Sequence, residues 1–302
     1  NALCRALGYV LAAEEDRSVL VLDKLIARSV DPGEESDLLS SVTNLVMSLA
    51  VHRESSWAIS SMNRLIAEPT GASAALQAIV TYVGSNLKLE ELGTPDFDKV
   101  ALRSIEWLTR AMDAALGAIQ ELEVPDSGSV SEDAVQKVTA LYRVVDRMIT
   151  RLYLSVDNLD TSAGGEEAPD RAMQVSRFYS LVKPLLAKLI DRTVGDDGRV
   201  LLPASTAHHL MRLFNIVLTC DPREVLHMAA LAAKASRRTS YNFDSLAIKD
   251  IVDLVEVILA DYRQEVRDER SLADLVALLD VFVDAGWPEA LNLVWRLDEV
   301  YR

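Results

Sequence analysis

The sequence predicts an all-α protein, built from antiparallel helix pairs, and three observations carry that expectation. Apolar residues return at three- and four-residue spacing along almost the whole chain, the period of a helix with one buried face. Glycine and proline are scarce, at 12 and 9 of 302 residues, and mostly fall where these runs end. Capping residues of the Ser and Asp type stand at the start of several runs. Only Val200, Leu201 and Leu202 suit a short extended piece.

Taken in order, helices are expected at 2–13 and at 17–30, the second closed by Asp31-Pro32-Gly33. The next covers 36–52, with Leu38, Leu39, Val42, Leu45, Val46 and Leu49 as a broad apolar face. Helices at 55–67 and 72–87 follow, separated by Pro69-Thr70-Gly71. A loop at 92–96 leads to a long helix at 98–122, striped by Ile105, Leu108, Met112, Ala115, Ile119 and Leu122. Ser129 and Glu132 form a capping box for a second long helix, striped by Val135, Val138, Tyr142, Val145, Ile149, Leu152 and Val156. Two such neighbours are expected to pack as an antiparallel pair.

Residues 157–169, rich in Asp, Ser, Gly and Glu, form the best linker. They divide the chain into an N-terminal helical subdomain at 1–158 and a C-terminal one at 170–302, with the linker proper at 159–169. A calcium loop starting at Asp160 would need a glutamate at its twelfth place, where Arg171 stands, so calcium is rejected. Beyond the linker a helix at 169–193 contains Pro184, which is expected to kink or split it.

The stretch 203–244 draws most of the interest. It holds three of the four histidines (His208, His209, His227) and Cys220. Pro203 opens a helix with Ala207, Leu210, Met211, Phe214, Val217 and Leu218 on one stripe; Leu213 and Ile216 widen it until little polar surface is left. His208, Arg212 and Asn215 fall on that remaining polar face. Asp221-Pro222-Arg223-Glu224 begins the next helix, with Asp221 as cap and Pro222 at the first position. Phe243 and Ile248 would staple the start of a helix at 245–267. Helices at 271–285, capped by Ser271 with Asp274 in third place, and at 289–301 complete the chain. Acids such as Asp250, Asp253 and Asp261 are expected to face outward.

Composition excludes several classes. Half the residues are apolar, so the chain is neither disordered nor fibrous. Two cysteines, Cys4 and Cys220, give no disulfide framework and point to a reducing cytoplasm. No apolar run reaches the roughly 18 residues that a bilayer span needs, so no membrane partner is expected. The rich use of Ala, Leu, Val, Arg and Asp suggests a bacterial source. Residue 1 is asparagine and the helical pattern starts at once, so the chain is expected to be a domain of a larger protein.

A net charge of −15 disfavours nucleic acid. The charge is uneven: 171–249 carries 12 Lys/Arg against 6 Asp/Glu, while 1–170 stands at −13 and 250–302 at −8. Within the basic segment Arg212, Lys234, Arg237, Arg238, Tyr241 and Lys249 are the candidate contact residues, since arginines beside aromatics make binding hot spots.

Motifs of chemistry are missing. No GxxxxGK[ST], GxGxxG, GxSxG, HExxH or CxxC occurs. His208 and His209 are adjacent, point about 100° apart, and so do not suit one metal ion. Glu224-Val225-Leu226-His227 matches half of a di-iron helix pair, but no second copy exists. No catalytic residue, cofactor or metal ligand is assigned.

Helices that average about 25 residues with their loops, or about 50 per pair, resemble HEAT and armadillo α-solenoids in architecture, without their repeat consensus. The resemblance implies an extended surface for a protein partner or a neighbouring domain. A non-catalytic scaffold or sensor domain is therefore the expectation. A nucleic-acid or nucleotide-sensing module working through 171–249 is the first alternative, and an all-α enzyme with a site between helix layers the second; a buried polar site joining His208 or His227 to a carboxylate would favour the latter.

Overall fold

The computed structural model describes residues 23–24, 36–67, 72–122, 132–160, 171–194, 204–236 and 245–284. Among these residues every regular element is helical, as the apolar spacing requires, and no strand occurs. Ten α-helices are described: α1 (Ser36–Arg53), α2 (Ser56–Ala67), α3 (Ala72–Asn86), α4 (Pro95–Leu122), α5 (Glu132–Asp157), α6 (Arg171–Val194), α7 (Ala204–Val217), α8 (Pro222–Ser236), α9 (Ser245–Asp261) and α10 (Glu269–Asp284). The helices expected at 2–13, 17–30 (apart from Asp23 and Lys24) and 289–301 lie outside the described residues. So do most of the 159–169 linker, the 200–202 segment and the Phe243–Ile248 staple.

The chain forms two compact units. The first comprises Asn1–Lys88 and Gly93–Met148, the second Leu89–Leu92 and Ile149–Arg302, so the division falls inside α5. In the first unit α1 packs against α2 and α3, and α3 against α4. Its core is lined by Val46, Met47, Met62, Leu76, Ile79, Leu108, Ala111 and Met112, all buried. α4 lies on α3, and α5 is tied to α3 by Arg147 donating to Gln77 Oε1 at 3.0 Å.

The reversal between α1 and α2 is made by one residue. Glu54 has φ 53°, a left-handed conformation that costs a side-chain-bearing residue about 1–2 kcal/mol. Arg103 of α4 holds it there. Its guanidinium pairs with the Glu54 carboxylate and donates to the Val51 carbonyl at 2.9 Å, one of the carbonyls that the end of α1 leaves without a helical partner. Ser55 then caps α2, its Oγ accepting from the Ala58 N–H at 3.4 Å.

In the second unit the close contacts run between alternate helices. α6 packs on α8, α8 on α10, and α7 on α9; α7 also touches α6 and α8, and α9 touches α10. Two rows result, α6–α8–α10 and α7–α9, with apolar faces between them. Phe178 and Phe214 are fully buried, as are Leu185, Leu189, Leu210, Met211, Leu226, Leu254 and Leu275.

Three element boundaries differ from the sequence expectation, each for a local reason. α6 runs unbroken through Pro184. Proline removes one donor, and the carbonyl that loses it belongs to Ser180; both residues are exposed, so water can take the donor's place. α9 ends at Asp261 rather than near 267. Val266 turns into the core there, and the Glu265 carbonyl accepts a hydrogen bond from Arg223 of α8. α10 starts at Glu269, because its cap is Asp268 and not Ser271: the Asp268 carboxylate accepts from the Ser271 N–H at 3.0 Å and the Ser271 hydroxyl at 2.7 Å. Those two bonds hold the Asp268 carboxyl below its usual range, the hydroxyl bond counting most.

Two outcomes check this description. Phe214→Ala should cost about 3–5 kcal/mol in denaturant unfolding, whereas Leu102→Ala, at a site 48% exposed, should stay within about 0.5 kcal/mol. Asp268→Ala should lower the melting temperature at neutral pH. Because the folded-state pKa of Asp268 is depressed, its contribution is present above the ordinary carboxylate pKa of about 4 and fades as pH falls below it. The gap between wild type and variant should therefore close on acidification; a constant gap would show that Asp268 acts other than through its charge.

Candidate functional site

Apart from Ser205, the polar residues of α7 are at least partly withdrawn from water. His208 Nδ1 lies 2.7 Å from Asp250 Oδ2 of α9, and both side chains are only 16% exposed. Both atoms are shut off from solvent, and no well-aligned hydrogen bond engages either, so they meet as a close polar contact. Asn215 Nδ2 donates to the Asp250 main-chain carbonyl at 2.8 Å, fixing the same turn of α9. Burial pushes the Asp250 carboxyl upward, and the charges of His208 and Arg212 pull it back.

The neighbouring histidine turns the other way, as two successive helical positions must. His209 Nδ1 lies 3.1 Å from Thr150 Oγ1 of α5. One turn on, the Arg212 guanidinium stacks over the Tyr153 ring of α5, 4.4 Å from its centroid. The Tyr153 hydroxyl donates to Asp157 Oδ2 at 2.8 Å, and its phenol is pushed up to about 12, first by burial and then by that bond. Thus α7 is keyed to α9 by His208 and Asn215 and to α5 by His209 and Arg212.

The second row has its own keys. Lys183 of α6 donates to Asp221 Oδ2 at 2.9 Å, while Asp221 Oδ1 accepts from the Glu224 N–H at 3.3 Å and caps α8. Arg223 approaches Asp268 at 3.8 Å. His227 Nδ1 meets Asp274 Oδ2 of α10 at 2.9 Å. Tyr179 is buried beside Lys183, and burial raises its phenol, the Asp221 charge adding to the rise. Cys220 is a half-buried free thiol, raised in pKa by burial.

Of the sequence-predicted contact residues, Arg212, Lys234 and Lys249 are among the described residues. Arg212 is spent on Tyr153 and Asp250 inside the unit. Lys234, near the end of α8, and Lys249, in the first turns of α9, are exposed. Arg237, Arg238 and Tyr241 lie outside the described residues. Asp250, expected to face outward, faces His208; Asp253 and Asp261 do face solvent. Among the described residues no group of three or more His, Cys, Asp or Glu side chains could hold a metal ion. No helix among them is long and apolar enough to cross a membrane.

The chain matches no protein-family model, no curated protein and no solved structure. The meaning of the two His–Asp pairs therefore rests on their geometry. A catalytic triad also pairs an Asp with His Nδ1, to orient a nucleophile's base. Here each pair joins helices that are already packed neighbours, and each fits a structural key between them.

His208→Leu should cost roughly 2 kcal/mol, because it leaves the buried Asp250 carboxyl without its polar partner on α7. Asp250→Asn should cost less. Burial has raised the Asp250 carboxyl, so ionising it burdens the fold as pH rises through the carboxylate range, and Asn removes that burden. Urea unfolding of both variants at neutral pH checks the order; equal losses would contradict it.

Proposed function

We propose that this chain is a non-catalytic helical scaffold, a protein-interaction or sensor domain of the α-solenoid kind. The observation that carries the reading is the alternate-helix packing of the second unit, where α6, α8 and α10 form one row and α7 and α9 the other. Stacked helix pairs of this sort bury a continuous core and leave long side surfaces for a partner. The polar side chains that could have suggested chemistry lend support from another direction, since the histidines at 208, 209 and 227 are each engaged by a neighbouring helix.

The test is recovery of the tagged chain from cells that express it naturally, with quantitation of what comes with it. A protein partner in stoichiometric amount is expected. A stoichiometric metal or small cofactor would overturn the reading. So would salt-dependent binding of a labelled oligonucleotide that Lys234→Glu with Lys249→Glu abolishes, which would favour the nucleic-acid alternative.

A further inference from the structure

We draw no further inference here: the strongest candidate, the surface patch at the start of α5 in the first unit, where Val135 is 51% exposed and no residue from 132 to 140 is buried, carries nothing because nothing in the structure shows what covers it.

Discussion

The second unit depends on one constraint: α7 has almost no face left for water. Between residues 205 and 217 only Ser205 is exposed. Ala207, Leu210, Met211, Leu213, Phe214 and Val217 are fully buried, and each large apolar side chain so placed contributes about 1.5–3 kcal/mol. Burial on that scale drags the helix's polar side chains in too, and a buried polar group without a partner costs more than the bond it lost. The contacts of His208, His209, Arg212 and Asn215 are therefore consequences of packing. They decide which helix may lie beside α7, and in what register, rather than whether the helix forms.

Much of the fold could be read from the sequence because it follows from period and punctuation. The broad apolar stripe of 36–52 became α1 with its start in place, and Asp221-Pro222 opened α8 as a cap and first residue should. The failures share a cause. Ser271 carries a good capping side chain, but Asp268, three residues earlier, takes Ser271 itself as the group to be capped. The pattern at 245–267 supports a longer helix, yet a contact from another helix, Arg223 to the Glu265 carbonyl, holds the chain in a turn. Pro184 breaks a local rule at a place where solvent can repair it. Local signals name what a segment can do; distant contacts choose among the possibilities.

The polar keys were legible only in part. Adjacent histidines had to point to different neighbours, and they do, one to α9 and one to α5. That His208 would meet Asp250 could not be read, because both sit on polar positions of amphipathic helices and nothing in spacing says which polar face will be covered. A signal did exist. A helix whose apolar stripe has widened to exclude solvent leaves its histidines in need of polar partners on the neighbouring helices, and Thr150 and Asp250 supply them.

Asp221 serves two helices with two oxygens, Oδ1 closing the first turn of α8 and Oδ2 holding Lys183 of α6. Fraying of the first turn of α8 and loss of its tie to α6 are thus linked through a single side chain.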